Sequence, residues 1–78
     1  MVVVEVKSMT ETNESRQMRL GLGQVLDYSH ALGGAASGVR PVLAVERRPA
    51  ESRWIEICSS AGVTLVWPET FDDLRDAG

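Results

Sequence analysis

Val2-Val3-Val4-Glu5-Val6-Lys7-Ser8 sets one acid and one base two residues apart inside a run of valines. Side chains alternate between the faces of a strand, so Glu5 and Lys7 share a face with Val3, while Val2, Val4 and Val6 share the other. The β-branched run predicts a strand over Val2–Lys7 that is buried on part of both faces, as strands of parallel sheets are. A charged side chain in such a strand is costly unless it is paired or bound to a metal. The plain reading of Glu-x-Lys is an ion pair near the end of an edge strand. The helix downstream of it adds a second reading.

Ser8-Met9-Thr10-Glu11-Thr12-Asn13 is polar and rich in turn formers, with Thr12 or Asn13 the expected cap of that helix. From Glu14 to Leu32, residues Met18, Leu22, Val25, Leu26, Ser29 and Leu32 fall on one helical side, and Gly33-Gly34 supplies the stop. Pro41-Val42-Leu43-Ala44-Val45-Glu46 reads as an interior strand, with Pro41 at its first position, where a missing donor is tolerated. Pro49 opens a second helix over Ala50–Ala61, with Trp54, Ile57, Cys58 and Ala61 on one stripe and Gly62 at its end. Val63–Trp67 makes a third strand that Pro68 ends. Thr70-Phe71-Asp72-Asp73 has the form of a capping box that opens a last short helix and pins Phe71 and Leu74 to the body. The expected fold is therefore α/β: one domain over residues 1–78, in βαβαβ order, with a small, mostly parallel three-stranded sheet and flanking helices.

A chain of 78 residues supports one small core. Its hydrophobic content of 44% and charged content of 24% are those of an ordinary globular protein rather than a disordered one. A formal net charge of −3 argues against a general nucleic-acid binder and leaves room only for local contacts. Cys58 is alone, which excludes an internal disulfide and a cysteine zinc cluster and suits a reducing cytoplasm. It lies on the buried stripe with no His beside it, so it reads as core rather than nucleophile. Glu5 and Lys7 break the apolar start too early for a signal peptide or a membrane span, so no membrane partner is expected.

The first helix carries a further pattern. Gln17, Gly21, Gln24 and Tyr28 form one line bordering the apolar side, from which side chains look along the sheet surface toward the first strand. Gly21 and Gly23 would each cost about 1 kcal/mol against Ala inside a helix, which points to a close backbone approach, by the sheet or by a nucleic-acid backbone.

Glu5-Val6-Lys7 on a strand, followed by a helix bearing Gln24-Val25-Leu26-Asp27-Tyr28, resembles the later half of the PD-(D/E)XK, or restriction-endonuclease-like, nuclease superfamily. The Gln-x-x-x-Tyr helix is that of its RecB-like branch. The resemblance covers Val2 to Val45 by motif and the rest by element order, so the fold that it implies is a partial restriction-endonuclease-like core. It implies that Glu5 and the Val6 backbone carbonyl hold a magnesium or manganese ion, that Lys7 positions or activates water, and that Gln24 and Tyr28 support the site. DNA is then the implied partner, with Arg16, Gln17 and Arg19 as nucleic-acid contacts. The chemistry is coherent, because phosphodiester hydrolysis needs a hard cation on oxygen ligands, a nearby cationic group and an oriented water.

The chain departs from that family in one respect. Members place a strand pair before Glu-x-Lys, and its Asp is the second metal carboxylate, whereas this sequence reaches the Glu-x-Lys strand directly after Met1. Asp27 lies on the wrong side of its helix, and Asp72, Asp73 and Asp76 are at the far end of the chain. The expectation is a weakly held ion and no nuclease activity from this chain alone. The edge of strand 2–7 is expected to pair with a partner chain or a second copy. Two other classes compete: a noncatalytic protein-interaction or assembly module, and a phosphate-binding α/β domain. The last ranks lowest, since no Gly-rich loop follows a strand.

Overall fold

The structure, a computed structural model, describes residues 1–71. The elements are β1 (Val2–Lys7), α1 (Glu14–Ala31), a 3-10 turn at Ala35–Ser37, β2 (Arg40–Val45), α2 (Arg53–Ser60), β3 (Thr64–Val66) and a second 3-10 turn at Pro68–Thr70. The strands form one sheet in the order β1-β2-β3. Every pairing is parallel, with Val2 opposite Arg40, Lys7 opposite Val45 and Val42 opposite Thr64. This is the α/β fold expected from the alternation of valine-rich runs with amphipathic segments. Asp72 and Asp73 of the expected last helix, with Leu74, lie outside the described residues, and Phe71 is 46% exposed.

Both helices lie on one face. Met18, Leu22 and Val25 of α1 and Trp54 and Cys58 of α2 form a single cluster with Met9, Leu43, Val45 and Val63, and Val3, Leu65 and Trp67 pack against it. A strand order that advances one way through crossovers of one hand puts every crossover on the same side. By alternation, Val2, Val4, Val6, Val42, Ala44 and Val66 belong to the opposite face. There Val42 and Val66 are buried, but Val2, Val4 and Val6 are 44%, 48% and 71% exposed. The expectation that β1 is buried on part of both faces is thus corrected.

Several boundaries also shift. Leu26 is 40% exposed because it stands one residue, about 100° of helix rotation, away from buried Val25. Leu32 is the residue after α1 and leaves the stripe, at 48% exposed. In α2, Ile57 flanks the buried pair Trp54 and Cys58 and is 37% exposed. α2 starts at Arg53 rather than Ala50: the Trp54 and Ile55 amides donate to the carbonyls of Glu51 and Ser52, a tighter turn that leads into the helix, and the amides of Ala50 and Glu51 before it donate to the carboxylate of Glu14, at 2.8 and 3.1 Å. Asn13 stands at the N-cap of α1, but its Oδ1 accepts from the amide of Thr10 behind it. Burial pushes the Cys58 thiol up to about 11, consistent with its place in the core.

Glu14 is 4% exposed, and Arg47 stands 3.6 Å from its carboxylate. Two further bonds tie the same end of the sheet: the Met9 amide donates to Glu46 Oε1 at 2.6 Å, and Gln17 Nε2 donates to the Ser8 carbonyl at 2.8 Å. Together they fix where α1 starts relative to β1. Gly21 then meets the sheet, where a Cβ would lie 2.6 Å from Leu43 Cδ1 and 3.1 Å from Lys7 Cγ. Gly23 faces open space. Sheet packing accounts for the first glycine and leaves the second without a structural cause.

These contacts separate the two glycines experimentally. Gly23→Ala should stabilise the fold by about 1 kcal/mol through helix propensity, while Gly21→Ala should destabilise it, since fully buried Leu43 has no room to retreat. Equal gains in urea unfolding would contradict the close approach. Glu14→Ala should cost about 3 kcal/mol, since it strands two amides and a guanidinium at once, and a change under about 1 kcal/mol would refute that role.

Candidate active site on the first strand

Glu5 and Lys7 lie on the face that α1 covers, as the Gly21–Lys7 approach requires. Lys7 Nζ is 3.7 Å from Glu5 Oε1, and the two side chains are 17% and 19% exposed. At that distance the pair attracts as charges without a direct hydrogen bond. It is therefore a partly desolvated acid and base side by side with hydrogen-bonding capacity left over.

α1 starts beside Ser8 and runs back along β1. Two strand residues span about 6.6 Å and four helix residues about 6 Å, so from Gly21 over Lys7 the helix comes level with Glu5 just past Gln24, at Val25, and with Val3 just past Tyr28, at Ser29. Gln24 Oε1 is buried and has no hydrogen-bond partner among the described residues. Tyr28 is 51% exposed. No hydrogen bond among the described residues joins Gln24 or Tyr28 to Glu5 or Lys7.

The backbone of β1 adds a directional element. The Arg40 amide donates to the Met1 carbonyl at 2.8 Å, which fixes the phase of the ladder. The N–H and C=O of Val3, Glu5 and Lys7 face β2, and those of Val2, Val4 and Val6 face outward along the sheet edge. The Val6 carbonyl accordingly points to the open edge, while the Glu5 side chain stands on the α1 face beside it.

The remaining sequence-derived contacts divide. Gln17 is engaged with the Ser8 carbonyl. Arg16 is exposed on the first turn of α1. Arg19 sits near Glu51, whose carboxyl is held below its ordinary value by the hydrogen-bonded Arg53 guanidinium and, to a lesser degree, by Arg19. Ser15 joins that cluster through Glu51 and Arg53. Arg19 therefore belongs to the α2 side of α1, away from the Glu5–Lys7 edge. Sequence reasoning misses Glu14 and Glu46, since each looks like a solvated acid at an element end; the amides that donate to them lie 36 or 37 residues away.

Carboxylate and amide oxygens suit a hard cation in kind. In number they fall short. Glu5 is the sole carboxylate that the described strands carry on this face, and no group of three or more acidic, His or Cys side chains gathers among the described residues. No helix among the described residues is long and apolar enough to cross a membrane. No protein-family model matches the chain, and no curated protein or solved structure matches it.

A buried oxygen without a partner lowers stability, so Gln24→Met, close in volume, should be neutral or stabilising by about 1 kcal/mol. A loss of more than about 1 kcal/mol in chemical denaturation would mean that Gln24 serves the fold instead of a ligand.

Proposed function

We propose that this chain carries one half of a metal-dependent phosphodiesterase site of the PD-(D/E)XK kind, acting on DNA, and that it is inactive without a second carboxylate from an added strand. One observation carries the reading: a partly buried carboxylate and ammonium 3.7 Å apart on an edge strand, beneath a helix whose Gln24 oxygen is buried and unpartnered. A structural ion pair alone does not need that oxygen, nor an edge carbonyl beside it.

In this reading Glu5 and the Val6 carbonyl hold a magnesium or manganese ion, which when bound would polarise the phosphodiester. Lys7 orients the attacking water and offsets negative charge that develops on the phosphoryl oxygens. Gln24 orients the Glu5 carboxylate or the water through its amide, and Tyr28, at the exposed border, meets the nucleic acid. Arg16 offers an exposed cation for a phosphate on the same helix. The lone buried Cys58 fits a reducing compartment such as the cytoplasm.

The open edge of β1 favours a second reading, a noncatalytic assembly module whose sheet another strand completes. Titration of the isotope-labelled chain with magnesium or manganese separates the two. The nuclease reading expects amide shifts that begin at Glu5 and Val6, saturate weakly in the millimolar range and vanish in Glu5→Gln. Identical shifts in that variant, or none at Glu5, would leave the assembly reading. Metal-dependent cleavage of single-stranded or plasmid DNA by this chain alone, abolished by Lys7→Ala, would overturn the claim that it is inactive by itself.

A further inference from the structure

We infer that the outer edge of β1 is a self-complementary interface on which a second copy of this chain pairs, antiparallel, with Val4 on the two-fold axis. The inference stands without the nuclease reading and is compatible with it, because the Val6 carbonyl oxygen keeps a second lone pair after accepting from Val2 of the second copy.

The backbone phase decides the register. The outward N–H and C=O groups belong to Val2, Val4 and Val6, a set symmetric about Val4. No hydrogen bond among the described residues engages those groups. A two-fold axis through Val4 sets Val4 opposite Val4 of the second copy and Val2 opposite Val6. All three are then hydrogen-bonded pairs, so every outward donor and acceptor on both copies is used. A register shifted by one residue would set Val4 opposite a residue whose N–H and C=O face its own β2 and leave the ladder unmade.

The side chains agree with the backbone. On the face away from the helices the pairing lines up Val2, Val4 and Val6 with Val6, Val4 and Val2, and these valines are the exposed apolar residues of the strand. On the helix face Glu5 comes opposite Val3, so no like-charged side chains stand directly across from each other. The helices also fit. α1 touches both β1 and β2, so it lies inward of the β1 edge, which leaves room for the α1 of a second copy across the paired strands. Tyr28, half-exposed on that border, then faces the α1 of the second copy.

The outward Val4 N–H takes no part in the β1–β2 ladder, so Val4→Pro removes the bond on the axis while leaving the monomer's own pairings intact. Sedimentation of the wild-type chain at micromolar concentration should give twice the chain mass of 8.5 kDa, and Val4→Pro should give the monomer with an unchanged circular dichroism spectrum. Register is read by cysteine cross-linking with oxidised glutathione. Val4→Cys should form a disulfide dimer, whereas Val2→Cys should not, because its two copies stand about 13 Å apart, beyond disulfide reach. Cys58, buried with its thiol pushed up to about 11, stays out of the reaction. A monomeric wild type overturns the inference, and so does a Val4→Pro variant that remains dimeric. Cross-linking that is as efficient at Val2→Cys as at Val4→Cys overturns the register, and if Val4→Pro fails to fold, the cysteine pair still decides.

Discussion

The carboxylate of Glu14 holds the architecture together. It sits at the first position of α1, buried, and receives two amides from the turn before α2 while Arg47 stands beside it. A carboxylate at that depth is tolerated because its oxygens are satisfied by donors with nowhere else to go. It occupies the anion position that the start of α2 would otherwise offer to solvent or a ligand. It also sets the height of α1 along the sheet. That height determines the approach of Gly21 to Lys7 and Leu43, and the level at which Gln24 passes over β1.

The order of elements was legible because each strand is a valine-rich run too short for a helix and each helix has its own stop signal. Val2–Lys7 was readable to the residue, and β2 was placed at the centre by its unbroken apolar run. The start of α2 was not readable to the residue, because the segment before it is a tight turn of i→i−3 bonds whose amides at Ala50 and Glu51 are taken by a side chain 36 and 37 residues earlier. Leu26 misled because a helical stripe is judged by spacing alone, whereas the width of the covered arc depends on how many strands lie beneath it. The exposure of Val2, Val4 and Val6 was likewise invisible, since a parallel strand reads as apolar on both sides whether or not each side is covered.

For the candidate site, the sequence identified the acid and base and the helix above them, and the structure adds their state. Lys7 and Glu5 are close without a hydrogen bond, and Gln24 is buried without one. In a protein interior such unmade bonds are rare and costly, and small domains seldom tolerate them for packing alone. Two more buried atoms without a hydrogen bond, Arg47 Nη2 and Trp54 Nε1, lie elsewhere among the described residues; what sets Gln24 apart is its place above an edge whose carbonyl and amide groups also lack partners among the described residues.

The parallel pairing of β1 with β2 has a kinetic side. Val2 pairs with Arg40, so the first strand waits for roughly 40 residues of synthesis, which at about 5–20 residues per second is a few seconds on the ribosome. During that interval a valine-rich strand has no partner on either edge. α1 forms on a microsecond scale as it emerges, and its contact through Gly21 and Lys7 gives the strand something to lean on before the sheet exists. The order of events in folding would then run from helix and strand to sheet, with the long loop closure as the slow step.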